Sequence, residues 1–188
     1  MKKIVSLETV HEGWSKFLIA TISLPGGQVI KREIEDHGRA VSVLPYDPTR
    51  KCAMMIRQFR PPVFLAAKRP ELLEAIAGIA EGRKYADSAK REAYEEAGLC
   101  LKKLEHVGCV WTMPGISTER LDLYLAAYDE RDRTGAGGGL AEENEEITVI
   151  EMPLAELAAM ADGGRVEDVK ALLLVQTLRL RRPELFTA

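Results

Sequence analysis

A chain of 188 residues, 46% hydrophobic and 29% charged, suits one soluble domain with room for a small appendage, and is long enough to bury about 70% of its unfolded surface. A net charge of −3 argues against broad nucleic-acid binding, which needs a basic face. Glu8, His11 and Glu12 interrupt the N-terminus before a signal sequence forms, no run reaches the roughly 18 apolar residues of a membrane helix, and the three cysteines lack a Cys-x-x-Cys spacing, so the expected setting is a reducing cytoplasm without membrane partners.

Taken in order, Phe17 to Leu24 and Val29 to Ile34 flank Pro25-Gly26-Gly27 and read as a hairpin. Ala40 to Leu44 and Cys52 to Arg57 read as strands joined through the turn residues Tyr46-Asp47-Pro48-Thr49. Arg57-Gln58-Phe59-Arg60-Pro61-Pro62 then leaves the sheet with two arginines, whose planar forks suit phosphate but are as readily surface groups beside a proline stop. Glu71 to Gly78 alternates in part, as a strand with one end at a site would.

Asp87 to Glu96 is rich in helix formers, and Gly98 offers a left-handed stop. Glu92, Glu95 and Glu96 stand at i, i+3 and i+4 and share one helix face, where like charges repel by roughly 0.2–0.5 kcal/mol per pair. Two readings stay open on spacing alone. One is a solvated face laced by pairs such as Asp87 with Arg91 and Arg91 with Glu95. The other is a carboxylate site for a hard cation that in turn holds substrate phosphates.

Beyond the helix, Leu104 to Trp111 and Leu121 to Tyr128 read as strands around Met113-Pro114-Gly115 and Ser117-Thr118-Glu119-Arg120. Gly135 to Glu146 reads as a flexible, then acidic, loop. Ile147 to Met152 is a strand, and Leu154 to Met160 a helix with Pro153 at its start. Val166 to Leu180 forms the last helix, with Val169, Leu172, Leu173, Gln176 and Leu180 expected as its core stripe. Three scattered histidines make a zinc site unexpected. This order of elements predicts a mixed sheet between helices, an α/β/α sandwich.

Arg91-Glu92-Ala93-Tyr94-Glu95-Glu96-Ala97-Gly98-Leu99 resembles the second half of the Nudix box at every fixed position. The first half departs: twelve residues separate Gly78 from Arg91, one fewer than usual, and Arg83 or Lys84 stands where the first Glu belongs. A similarly shortened turn occurs in the GDP-mannose pyrophosphatase branch of the family. Pro114, fifteen residues after Leu99, and Ser117 to Arg120 resemble the ADP-ribose branch, whereas Arg57-Gln58-Phe59-Arg60 resembles nucleoside-diphosphate-sugar pyrophosphatases more broadly.

The resemblance implies a Nudix fold over residues 38–188 behind an N-terminal β segment, 1–37, that pairs two subunits into a homodimer. The bland alternative is an edge hairpin folded on its own core. It implies Mg2+ (or Mn2+) held by Glu92, Glu95, Glu96 and the Ala77 carbonyl, with Arg91 keeping the carboxylates in register. Arg57, Arg60, Glu74, Pro114 and Glu119 become substrate contacts, and Glu143 or Glu145 the loop residue that orients water. The implied reaction is hydrolysis of a nucleoside diphosphate sugar, such as ADP-ribose or GDP-mannose, to a nucleoside monophosphate and a sugar phosphate. Loss of the first box Glu keeps a second expectation in play, a Nudix-fold module that binds a nucleotide sugar or a protein partner without cleaving it.

Overall fold

Pro25-Gly26-Gly27 makes the expected turn: Gly26 and Gly27 take positive φ, and Leu24 N–H and Gly27 N–H close the loop on Gln28 and Leu24 carbonyls. The computed structural model describes residues 1–80, 82, 84–143 and 145–187. These divide into two compact units, 1–39 with 110–121, and 40–109 with 122–188.

The first unit holds a three-stranded antiparallel sheet in the order β1 (Lys3–Glu12), β2 (Lys16–Ser23), β3 (Val29–Asp36). The hairpin read from the turn is β2–β3; β1 is an added strand, exposed along its whole length. Segment 110–121 joins β3 through a bridge between Glu35 and Ser117, where Glu35 N–H donates to Ile116 O and Thr118 N–H to Glu35 O.

The second unit is built on a seven-stranded mixed sheet, with a path β10-β5-β4-β9-β8 and two short strands inserted in it. Its strands are β4 (Arg39–Asp47), β5 (Cys52–Phe59), β6 (Glu71–Glu74), β7 (Ile76–Ile79), β8 (Glu105–Trp111), β9 (Arg120–Ala127) and β10 (Ile147–Pro153). β4 and β5 pair only near their turn, at Tyr46–Ala53 and Asp47–Cys52, and then diverge. Into the gap fits a V: β6 runs along β5, the chain reverses at Ala75, and β7 runs back along β4. The partial alternation of Glu71 to Gly78 thus reflects two four-residue strands. Ser42 Oγ donates to Ile76 O at 2.8 Å beside the apex.

Four helices complete the fold: α1 (Pro61–Ala67), α2 (Tyr85–Ala97), α3 (Leu154–Asp162) and α4 (Val169–Arg181). α1 is where the arginine-proline segment was expected simply to leave the sheet; prolines at its first turn preset the helical φ, and none of its residues is buried. α2 packs Ala89, Ala93 and Ala97 onto Val41, Val43, Met54, Ile56 and Ile76, and alanines at i, i+4 and i+8 let the helix come close to the sheet. The stripe expected on α4 is corrected. Val169, Leu173 and Leu180 are exposed, and the buried positions are Ala171, Leu174, Val175 and Leu178. That set follows the i, i+3, i+4, i+7 spacing, and it sits there because Asp168 caps the helix and fixes its start.

Gly98 ends α2 in the left-handed conformation, φ +70°, and the loop after β9 lies directly against it. Thr134 and Gly135 N–H donate to Gly98 O, Gly138 N–H to Glu96 O and Gly139 N–H to Glu95 O. The glycine-rich segment expected to be flexible is therefore docked by its backbone on the exposed carbonyls of the helix end. A Cβ on Gly98 would lie 2.1 Å from Gly135 O, whereas one on Gly26 would meet nothing within 4 Å. Gly98→Ala should accordingly lower unfolding free energy by about 2 kcal/mol or more, and Gly26→Ala by about 1 kcal/mol, as measured by urea denaturation.

Candidate active site

The site is organised by the pattern of burial on α2. Its buried residues are Ser88, Ala89, Glu92, Ala93, Glu96 and Ala97, so two of the three carboxylates lie on the packed stripe rather than on a solvated face. Glu92 is 8% and Glu96 2% exposed. Burying two like charges one turn apart is costly unless a cation or donors compensate. Both press on the end of β7. Glu96 Oε2 accepts from Ala77 N–H at 3.2 Å, and the Glu92 carboxyl occupies the space a side chain at Gly78 would need, with Oε1 2.1 Å from where a Cβ would be. Gly78 is thus the residue that lets Glu92 reach the strand backbone.

Arg91 holds the outer edge of this set, donating to Glu95 Oε2 at 2.5 Å and to Glu92 Oε1 at 2.7 Å. The Arg91–Glu95 pair of the solvated-face reading therefore exists, and it coexists with the buried carboxylates. Burial pushes the Glu96 carboxyl well above the usual range; Ala77 N–H opposes this, and the charges of Glu92 and Glu145 add to it. Among the described residues no three His, Cys, Asp or Glu side chains already converge as a metal-ligand set. The chemistry of the donors nonetheless fits a hard cation: carboxylate oxygens gathered on one helix face and set against a strand whose glycine leaves room for them.

Arg60, just past β5, reaches the same region. Its Nε and Nη2 bind Glu74 Oε1 and Oε2 at 2.7 and 2.9 Å, and its charge acts on Glu96. Glu74 is 2% exposed and also accepts from Lys170 Nζ at 2.6 Å, so both its oxygens are engaged. Burial would raise its pKa, but Arg60 and Lys170 outweigh this and hold it below the usual value. Arg57 is not gathered with these groups. It follows Ile56, whose side chain packs with α2, and so projects from the opposite face of β5, into a groove of about 340 Å³ shared with Arg69 and Arg165.

On the loop after β9, Glu145 Oε2 accepts from Leu140 N–H at 3.2 Å, and its charge acts on Glu96. The backbone of Glu143 closes a short 3-10 turn, Ala141–Glu143. The Glu143 side chain and Asn144, like Arg83 at the first-Glu position, lie outside what the structure describes. Lys84, the other residue at that position, is the α2 N-cap and provides no side-chain cap.

Pro114 and Glu119 belong to the first unit. There Glu119 is part of a closed ring of hydrogen bonds. His37 Nε2 lies 2.8 Å from Glu119 Oε2 and Nδ1 2.6 Å from Glu35 Oε1; Ser117 Oγ donates to Glu35 Oε2 at 2.6 Å, and Glu119 N–H donates to Ser117 Oγ at 3.1 Å. Trp14 stacks on the imidazole at 4.9 Å. His37, read in the sequence only as one of three scattered histidines, is the centre of this ring, and its spacing from Glu119 gave no local signal. Lys170 and Asp168 were likewise missed, although Asp ahead of an apolar helical run is a capping signal.

With this geometry established, comparison with known proteins is decisive. A match to the NUDIX domain family spans residues 36–173. The chain belongs to the Nudix family. It is 38% identical over 159 residues to the GDP-mannose pyrophosphatase of Cronobacter sakazakii, covering 82% of each chain, and 33% identical over 189 residues to the ADP-ribose pyrophosphatase of Escherichia coli K12, covering 97% of this chain and 90% of that one. A solved structure of an ADP compounds hydrolase superposes with a TM-score of 0.74 over 96% of this chain and 95% of its own, at 18% identity, so that likeness concerns fold. As a Nudix hydrolase the protein acts on a phosphoric anhydride.

Burial works against a charged imidazole, yet Glu35 and Glu119 together hold His37 above its ordinary pKa. A histidine raised on folding adds stability that is complete below its unfolded pKa, about 6.5, and is lost as pH climbs through the higher folded value. The stability gap between wild type and His37→Gln, measured by urea unfolding, should therefore be widest near pH 6 and shrink steadily as the solution is made alkaline.

Proposed function

We propose that this protein is a divalent-metal-dependent pyrophosphohydrolase that cleaves a nucleoside diphosphate sugar, of the ADP-ribose or GDP-mannose kind, into a nucleoside monophosphate and a sugar phosphate. The observation that carries the reading is the pair of buried carboxylates, Glu92 and Glu96, set against the Ala77–Gly78 backbone. Relatives named for both substrates support the substrate class.

In this reading Glu92, Glu96, Glu95 and the Ala77 carbonyl hold Mg2+, with Mn2+ as the alternative. When bound, such an ion neutralises diphosphate charge and lowers the pKa of water. Arg91 keeps Glu92 and Glu95 in register through its two ion pairs. Arg60, anchored by Glu74, donates to a diphosphate oxygen from the guanidinium edge that Glu74 leaves free. Glu145 or Glu143, carried on the loop docked to α2, orients the attacking water. Arg57, on the opposite face of β5, is left out of this assignment, and Pro114 and Glu119 stand only as the substrate contacts that the family resemblance implies.

We further propose a cytoplasmic homodimer. Cys52, Cys100 and Cys109 form no disulfide among the described residues, which is compatible with a reducing compartment. β1 exposes Ile4, Val5, Leu7 and Val10, an apolar surface that a second copy would cover.

The test is turnover of a panel of ADP-ribose, GDP-mannose, ADP-glucose, UDP-glucose and nucleoside triphosphates, with Mg2+ and with EDTA. One nucleotide sugar should be hydrolysed, EDTA should abolish the reaction, and Glu96→Gln should reduce kcat about a hundredfold or more while the protein stays folded. Silence across the panel from folded protein would transfer the argument to a binding module that lost its first box glutamate.

A further inference from the structure

We propose that Lys170, on the last helix and far in sequence from the Nudix box, is a positioning residue that sets the charge and aim of Arg60 through Glu74. The proposal rests on the reading that Arg60 meets the substrate's diphosphate.

Four ionic side chains form an alternating line at the apex of the V. Arg60 binds Glu74 through Nε and Nη2, Glu74 Oε2 accepts from Lys170 Nζ at 2.6 Å, and Lys170 Nζ also donates to Asp168 Oδ1 at 2.9 Å. Asp168 in turn is fixed by backbone: Ala75 N–H donates to Oδ2 at 3.1 Å, Ala171 N–H to the same oxygen at 3.2 Å, and Lys170 N–H to Oδ1 at 3.4 Å. Ala75 is where β6 turns into β7, two residues before the Ala77 N–H that binds Glu96. The line thus ties the start of α4 to the same bend that supports the α2 carboxylates.

The electrostatics give Lys170 a role beyond packing. Because Lys170 shares Glu74 and is itself balanced by Asp168, the four groups sum to zero while the guanidinium, 40% exposed by side chain, is the only cationic member at the surface end. Without the ammonium the sum is −1, from two buried carboxylates, behind the position where a diphosphate would dock. The second consequence is geometric. Glu74 is held from two sides, so the fork it presents to Arg60 is fixed and Nη1 is left outside that fork.

The experiment uses Lys170→Met, with Lys170→Gln as the replacement should the Met variant not fold, and Lys170→Arg as the charge-preserving control. Folding is checked by thermal unfolding. Affinity for inorganic pyrophosphate is measured by calorimetry in EDTA, which needs neither metal nor turnover, and KM and kcat are measured on the nucleotide sugar that the wild type hydrolyses. Loss of one charge at this distance should weaken pyrophosphate binding and raise KM about five- to tenfold, with kcat within about twofold, and Lys170→Arg should recover most of the loss. In an Arg60→Ala background the Lys170 substitution should have little further effect on either quantity. Unchanged pyrophosphate affinity in the folded variant, or an equal loss in the absence of Arg60, would overturn the proposal. Failure of the wild type to hydrolyse any nucleotide sugar would instead overturn the assigned reaction, and the pyrophosphate titration would still decide the role of Lys170.

Discussion

Two buried carboxylates one helical turn apart, facing a strand backbone instead of water, are the constraint to which the rest of this fold answers. A helix that merely covered a sheet would place apolar residues at Glu92 and Glu96, beside Ala89, Ala93 and Ala97 on the same stripe. Burial raises the Glu96 pKa, and the charges of Glu92 and Glu145 add to it. Groups that cost stability and gain nothing in packing are the signature of a site. Under the proposed reading, a cation held at the end of β7 is what would relieve them.

Several features far apart in sequence serve that placement. The divergence of β4 and β5 opens room for the β6–β7 V, whose second arm carries Ala77 and Gly78 to α2. Gly78 admits the Glu92 carboxyl, and Gly98 ends α2 where the loop after β9 can dock. That docking brings Glu145 within electrostatic range of Glu96. A mobile tether would place the same carboxylate less reproducibly. The glycines of this loop are therefore best understood through close backbone approach: a Cβ on Gly137 would lie 2.6 Å from Glu96 O.

What was legible in the sequence was whatever depends on local pattern. The Pro25-Gly26-Gly27 turn, the box helix with its glutamates and Gly98 as a stop all carry short-range signals, and all are present. What was illegible depends on pairing at a distance. β1 has β-branched residues but is exposed throughout, so no alternation marks it. The helical nature of Pro61–Ala67 was masked by prolines that read equally as a stop and a start. The α4 stripe was misplaced because Val169 and Leu180 are as apolar as the residues that pack, and only the Asp168 cap fixes the phase. The ring around His37 and the Arg60–Glu74–Lys170–Asp168 line join residues up to about a hundred positions apart, which no spacing rule reaches. One fact that bears against a fully solvated α2 face, and that sequence could not supply, is the burial of Glu92 and Glu96.

The most direct test of the central claim is a titration of the protein with Mn2+ followed by electron paramagnetic resonance, in which the free ion's signal falls as it binds. Wild-type protein should remove the signal with saturation, and a folded Glu92→Gln, Glu96→Gln double variant should leave it close to that of buffer. Equal binding by the two proteins would contradict the assignment of these carboxylates as the cation site, and with it the account given of why they are buried.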